Sequence, residues 1–335
     1  MGKKTRVTLQ DVAELAGVNP VTASVALGRS PQGGTRVSEA TRLRIREAAR
    51  HLNYTPNALA RALQGERTHI IGCYAGYEML DASSPFTAAI LHGLQRSCRQ
   101  NQQDLLLFGS FERDTVDSIF ATLMSGKIDG LVVMPTPQSP VMDKLFESPL
   151  PVVAVANAHP SLPSVVVDDA AGSAMLAEHL AIKGHTRVWF RCPVGDRASV
   201  VQRTEAFARA ANKLGMSLIF TVEGPKHEIT PEEESVLCLP ADRRPTAAVC
   251  WMDISAYVLI EFCQERSIEV PGDLAVTGFD GVPLTIPPQR VLTTIRAPWE
   301  EVAAESIEQL LALLAGKEVP DETVFPVTLQ AGDTT

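Results

Sequence analysis

Aromatic side chains are scarce in this 335-residue chain: 3 Trp, 4 Tyr and 11 Phe make up 5% of it. That scarcity argues against a surface built from base-stacking platforms. No apolar run approaches the ~18 residues that a membrane-spanning helix needs. The opening Met1-Gly-Lys-Lys-Thr-Arg6 leads into polar helical sequence without the apolar core of a secretion signal. The 6 cysteines (Cys73, Cys98, Cys192, Cys238, Cys250, Cys263) form no C-x-x-C pair and have no histidine at metal-ligand spacing. Most lie in apolar runs such as Ala247-Ala-Val-Cys250, so they read as reduced core thiols of a cytoplasmic protein. There is no G-x-G-x-x-G after the first strand, no phosphate loop, no H-E-x-x-H and no serine elbow. Nothing therefore points to a catalytic residue, a metal or a cofactor.

What is present is an uneven distribution of charge. The net charge is −9, yet residues 1–67 hold 11 Lys/Arg against 5 Asp/Glu, leaving 19 against 34 in the remainder. A basic head suits a polyanion and an acidic body avoids one. Hydrophobic residues at 45% and charged residues at 21% describe an ordinary globular chain, and the length exceeds one typical domain.

Thr8-Leu-Gln-Asp11 has the form of a capping box and opens a short helix with Leu9, Val12, Ala13 and Ala16 on one side. Gly17-Val18 makes a tight turn. Asn19 is a good N-cap and Pro20 suits a first helical position, so a second helix follows to about Gly28. Two short helices joined by a glycine turn form a helix-turn-helix unit. A third helix from Ser38 is expected to turn Leu43, Ile45, Ala48, Ala49 and Leu52 inward and to leave Arg42, Arg44, Arg46 and Arg50 to solvent or phosphate.

The stretch Val7-Thr-Leu-Gln-Asp-Val-Ala-Glu-Leu-Ala-Gly-Val18 closely resembles the opening of the lac repressor family. So do Val37-Ser-Glu-Ala-Thr-Arg42 and Leu52-Asn-Tyr-Thr-Pro-Asn57. With matches further on, the resemblance covers nearly the whole chain. It implies a recognition helix over 19–28, where Asn19, Pro20, Val21, Thr22, Ser24 and Val25 meet DNA. Thr8, Arg36, Asn53 and Tyr54 join the interface. The family usually carries polar or basic residues where this chain has Val25, Pro20 and Val21. Direct readout here should therefore lean on thymine methyls, with Thr22 and Ser24 anchoring phosphates. Ala23 and Leu27 read instead as packing. The loop between Gly28 and Val37 is longer than in short family members, and Arg29 and Arg36 in it are expected to add phosphate contacts.

Pro56-Asn-Ala-Leu-Ala-Arg-Ala-Leu-Gln-Gly65 is bounded by helix start and stop residues and resembles the family's hinge helix. That implies minor-groove contacts from Asn57, Ala60, Arg61 and Leu63, with Leu63 as an apolar wedge between base steps. The bland alternative is a linker helix docking Leu59 and Leu63.

From His69 onward, apolar strand-like runs near 69–75, 104–109, 129–134, 151–156, 164–167, 187–191, 217–222, 246–251, 273–279, 292–295 and 324–329 alternate with helical segments. The pattern implies doubly wound parallel sheets in two lobes. The fold class is thus α/β. An all-α head over 1–55 and a hinge over 56–68 precede a two-lobed, periplasmic-binding-protein-like body over 69–335. The resemblance implies three crossings between lobes, placed near 163, 293 and 319. Lobe 1 then holds about 69–163 and 293–318, and lobe 2 about 164–292 and 319–335.

Ligands of open α/β sheets sit beyond the strand carboxyl ends. Gly278-Phe-Asp-Gly281 ends a strand, and Asp280 matches the family's ligand-binding aspartate. Arg203 matches its ligand arginine, Ser199 and Met252 are further contact positions, and Phe86 and Trp299 match apolar pocket walls. Plainer readings make Asp280 a turn cap, Arg203 a surface ion-pair residue, and Phe86 and Trp299 core. Ala156 and Met252 stand where sugar binders hold Asp or Asn, and Lys226 stands near a position often aromatic. Asp253 is retained, though it could simply cap the next helix at Ser255. His185, in Lys183-Gly-His-Thr-Arg187, matches a structural turn.

The resemblance implies a homodimeric transcription regulator, most simply a repressor, that binds double-stranded operator DNA under control of a small effector. A sugar or related polar metabolite leads, with nucleosides, organic acids and phosphorylated sugars open. The competing class is a periplasmic-type binding protein without DNA function. The last strand is followed by no leucine-heptad tail that would tetramerise the chain.

Overall fold

The computed structural model describes residues 7–27, 37–54, 67–75, 84–109, 115–136, 139–195, 197–282 and 290–335. The chain divides into two compact units, Met1–Thr68 and His69–Thr335.

In the first unit, α1 (Leu9–Leu15) starts at a reciprocal cap. The Asp11 N–H donates to Thr8 Oγ1 at 3.3 Å, and the Thr8 N–H donates to Asp11 Oδ2 at 2.7 Å. Gly17 turns the chain at φ +62°, a conformation any Cβ would strain. Asn19 Oδ1 accepts the Thr22 N–H at 2.7 Å and so caps α2 (Pro20–Leu27). Ser38 caps α3 (Glu39–His51), and Asn53, at φ +50°, closes it in the left-handed region that asparagine tolerates. The core holds Val12, Ala13, Ala16, Ala23, Ala26, Ile45, Ala48 and Ala49, with Leu27 and Leu52 packed against it. Leu43 departs from expectation at 59% exposed. Ile45, Ala48, Ala49 and Leu52 fall at i, i+3, i+4 and i+7 on one helix face. Leu43, two residues before Ile45, points the other way.

The second unit contains two six-stranded sheets. Sheet 1 has the order β11-β5-β4-β3-β1-β2. It is formed by β1 (Ile70–Tyr74), β2 (Asp104–Phe108), β3 (Gly130–Val133), β4 (Val152–Val155), β5 (Ser164–Val167) and β11 (Glu322–Phe325), all parallel. Sheet 2 has the order β12-β10-β9-β8-β6-β7. Its members are β6 (Arg187–Cys192), β7 (Ser217–Val222), β8 (Ala247–Cys250), β9 (Ala275–Asp280), β10 (Thr293–Arg296) and β12 (Thr328–Gln330), with only β12 antiparallel. Inner strands such as β3, β4 and β8 are buried along their whole length, as parallel strands covered on both faces must be.

Helices α4 (Pro85–Gln100), α5 (Val116–Leu123), α6 (Pro140–Phe146) and α11 (Trp299–Leu314) belong to lobe 1. Helices α7 (Asp169–Ile182), α8 (Ala198–Lys213), α9 (Pro231–Leu237) and α10 (Asp253–Glu265) belong to lobe 2. Sheet membership moves all three crossings later than 163, 293 and 319. Strand β5 stays in lobe 1, paired with β4 through Ala154↔Ser164 and Val155↔Val165. The link 156–163 lacks the helix that parallel neighbours ordinarily need, which hides the pairing in the sequence. Strand β10 pairs with β9 in lobe 2, so the second crossing falls at Ala297-Pro298. The expected strand over 324–329 is two strands in different sheets, broken at Pro326, which has no N–H for a ladder.

Candidate functional site

Asp280 ends β9 on lobe 2, 3% exposed and at φ +121°. A non-glycine residue in that region stores backbone strain, which persists where the surroundings fix it. Arg203, on the second turn of α8, is 4% exposed and is therefore no surface ion-pair residue. Its Nε donates to Asp169 Oδ1 at 2.6 Å, its Nη1 to the Trp251 carbonyl at 2.7 Å, and its Nη2 stands 3.6 Å from Asp280 Oδ1. The guanidinium lies 3.6 Å from the Phe279 ring centroid, a cation–π contact.

Asp253 opens α10 and does not cap it at Ser255. Its Oδ1 accepts from Thr294 Oγ1 at 2.5 Å and its Oδ2 from the Gly281 N–H at 2.8 Å, tying α10 to the end of β9 and to β10. Gly278 permits this, because a Cβ there would collide with Asp253. Burial raises the pKa of Asp169, that of Asp253 well above the ordinary carboxylate range, and that of Asp280 to about 7, against the pull of Arg203.

Lobe 1 supplies the opposing wall. Trp299 is the first residue of α11 and is 2% exposed. Phe86, in the first turn of α4, meets it edge-on with centroids 4.9 Å apart. Asn157, just past β4, accepts from Ser199 Oγ at 2.7 Å, a hydrogen bond between the lobes. Met252 is buried beside Asp253, and Ala156 holds φ +67° next to Asn157. Residues Ser199, Arg203, Asp280, Phe86 and Trp299 thus converge on the cleft between lobes. Lys226 is exposed at φ +54°. His185 bonds Thr246 Oγ1 at 2.9 Å in a turn remote from this cluster in the chain.

A second polar cluster lies at the carboxyl end of β6 and was not anticipated. Arg191 is fully buried. It donates to Glu233 Oε1 at 2.7 Å, to Ser255 Oγ at 2.9 Å, and to the carbonyls of His227 and Glu228 at 2.8 and 3.0 Å. Glu223 accepts from His227, Trp251 and Ser255 at 2.6, 2.8 and 2.6 Å. Burial alone would raise its pKa, but these bonds outweigh burial and lower it. The cluster holds Trp251 in place, and the Arg197 guanidinium lies 5.1 Å from that ring. The signal was available: an arginine inside the run Val188–Cys192 must be paired if the strand is covered on both faces. Asp169 and Asn157 carried no comparable mark.

On the head, α2 buries Ala23 and turns Pro20 and Val21 outward, Val21 being 66% exposed. Thr22, Ser24 and Val25 are half-buried along the same helix, and Thr8, Asn19 and Asn53 are at or near the surface. Tyr54 packs on the head core. Arg29, Arg36, Asn57, Ala60, Arg61 and Leu63 lie outside the described residues. Four thiols (Cys73, Cys98, Cys250, Cys263) are buried as expected, whereas Cys238 is exposed. Among the described residues no helix is long and apolar enough to cross a membrane.

A helix-turn-helix unit joined to a two-lobed α/β body with a buried polar cluster between its lobes defines a ligand-responsive DNA-binding regulator. Residues 8–57 match the family model of bacterial regulatory proteins of the lacI family, and residues 177–335 match a periplasmic binding protein-like domain. Over 318 residues the chain is 30% identical to the HTH-type transcriptional regulator DegA of Bacillus subtilis (strain 168), covering 90% of this chain and 89% of that one. It is 28% identical over 323 residues to the HTH-type transcriptional repressor PurR of Aliivibrio fischeri (strain MJ11), covering 93% of each. The lac repressor dimer bound to operator and the anti-inducer ONPF shares the fold. Its TM-score is 0.80 at 22% identity, over 98% of this chain and 99% of that one. The chain belongs to the lacI family of bacterial regulatory proteins, the DNA-binding transcription regulators.

Proposed function

We propose that this regulator is a homodimeric repressor of the cytoplasm whose operator affinity is set by a small polar effector held between its lobes. The observation that carries the reading is the convergence of Arg203 and Asp280 on Trp299 and Phe86 at the strand carboxyl ends. Convergent polar groups against aromatic walls suit a small polar metabolite. The names of relatives, a purine-type repressor, a GalR regulator and a ribose operon repressor, are in keeping with effectors of that size. Ala156 and Met252 leave this pocket with fewer polar groups than a hexose site of the family would have.

Strands β11 and β12 are joined through Pro326-Val327 and end their sheets on one side, so β2 and β7 end them on the other. Leu107 on β2 and Phe220 and Val222 on β7 are 46%, 43% and 50% exposed. Two unpaired edges carrying apolar side chains invite a second copy. Dimerisation doubles the half-sites read by α2 and matches a palindromic operator.

The mechanism is linkage: an effector that prefers one lobe arrangement shifts operator affinity by its preference ratio. A thermal-shift screen of small metabolites finds the effector, since binding raises stability with concentration. Mobility-shift assays with each hit then test the regulatory claim. Tight metabolite binding without any DNA binding favours the periplasmic-type alternative.

A further inference from the structure

Trp299 and Asp280 approach one another from opposite lobes, each with an unmet hydrogen-bonding demand. The chain has 3 tryptophans. Trp189 Nε1 donates to Thr221 Oγ1 at 2.7 Å and Trp251 Nε1 to Glu223 Oε1 at 2.8 Å. Trp299 Nε1 is buried and makes no hydrogen bond of ordinary geometry. Nearly all buried donors in native proteins are paired, so an orphan lining a cleft points to an acceptor that arrives with a ligand.

Asp280 is the complementary case. Its nearest cationic atom, Arg203 Nη2, stands at 3.6 Å, beyond a normal N–H···O distance, because Arg203 directs its short bonds to Asp169 and the Trp251 carbonyl. The indole N–H is close enough to Asp280 to favour its ionised form, which places the two groups side by side. Phe86 fixes the indole plane from the far side at an interplanar angle of 90°. Neither Met252 nor Ala156 adds a polar side-chain donor or acceptor here.

We propose that the Trp299 indole is a recognition donor, not merely an apolar wall, and that the effector carries a hydroxyl that accepts from Trp299 Nε1 and donates to the Asp280 carboxylate. A hydroxyl does both with one oxygen. A carboxylate or phosphate group would satisfy Trp299 but face Asp280, and an ammonium would satisfy Asp280 but leave Trp299 bare. One hydroxyl thereby bridges lobe 1 to lobe 2 and stabilises the arrangement in which they meet. This assignment rests on the cleft being the effector site.

The test uses the full-length protein, labelled with 15N at its indoles, and a panel of neutral pentoses, hexoses and nucleosides as probes. Trp299→Phe removes the N–H, keeps the ring and identifies the Trp299 indole signal by its absence. The expected result is that a binding probe moves the Trp299 signal downfield in the unaltered protein, leaving those of Trp189 and Trp251 nearly in place. Trp299→Phe and Asp280→Asn should each weaken that probe at least about tenfold, and the double variant little further, because both lose the same hydroxyl. A probe bound equally by Trp299→Phe, with Arg203→Lys impaired, overturns the donor assignment and leaves the cleft as the site. A probe whose binding ignores Arg203→Lys as well overturns the site itself. A panel in which no hydroxylated compound binds overturns the hydroxyl.

Discussion

Arg191 Nε meets Glu233 Oε1 at 2.7 Å with both side chains wholly enclosed, and Glu223 Oε2 completes the triad 3.2 Å from Arg191 Nη1. A buried charge pair of this kind is not by itself a source of stability, but removing one partner strands the other away from water. Arg191→Met is therefore expected to cost about 3–5 kcal/mol in urea denaturation of the protein. The double variant Arg191→Met, Glu233→Leu should recover part of that loss. A single-variant loss near zero would contradict the burial of the cluster.

The Asp280 carboxyl gives the body a pH-dependent stability of known sign. Its pKa stands at about 7 in the folded protein against a reference of 3.8, raised chiefly by burial. The folded state thus holds the proton more tightly. This group's contribution falls as pH rises from about 4 to 7 and is constant above that. Asp280→Asn should remove that slope and stabilise the protein at pH 8, by at most about 4 kcal/mol, with the gain vanishing near pH 4. Melting temperatures of the two proteins across that range check it, and a gain that grows toward low pH contradicts it.

Val21 stands outward on α2 at 66% exposed, so its removal leaves the head's core intact. If thymine methyls are read here, Val21→Ala should weaken a selected operator about tenfold while leaving binding to random duplex unchanged. Fluorescence anisotropy with both DNAs distinguishes this from a uniform loss, which would mark Val21 as irrelevant to specificity.

The head was legible in the sequence because its signals are local. Thr8, Gly17, Asn19, Pro20 and Ser38 each act within a few residues, and each stands where the capping and turn chemistry places it. The parallel strands were legible from continuous apolar runs. Lobe membership was not, because β5 pairs with β4 across a link without a helix and β11 and β12 are separated only by Pro326-Val327. Of the cleft, Arg203, Asp280, Ser199, Phe86 and Trp299 came from family resemblance, whereas the partners that hold them, Asp169, Asn157 and the Trp251 carbonyl, depend on tertiary approach. Trp299 read as a wall because an indole's apolar area dominates its sequence signature, while its unpaired N–H exists only in three dimensions.

The exposed edges β2 and β7 give a direct test of assembly. Leu107→Asp together with Phe220→Asp places charge on both edges without entering either core. The unaltered protein should elute as a dimer in light-scattering chromatography and the double variant as a monomer. The variant should also bind operator more weakly, because its two heads are no longer linked. A variant that remains dimeric would place the interface elsewhere.

The central claim is that the body's ligand controls the head's grip on DNA, and reciprocity tests it most directly. Once a thermal-shift hit is in hand, its Kd is measured by calorimetry with and without operator, and the operator Kd with and without saturating hit. The two ratios must agree, since coupling between sites acts equally in both directions. The account predicts equal ratios of about fivefold or more in the unaltered protein and ratios near one in Arg203→Lys. A metabolite whose binding depends on Arg203 yet leaves operator Kd unchanged would contradict it.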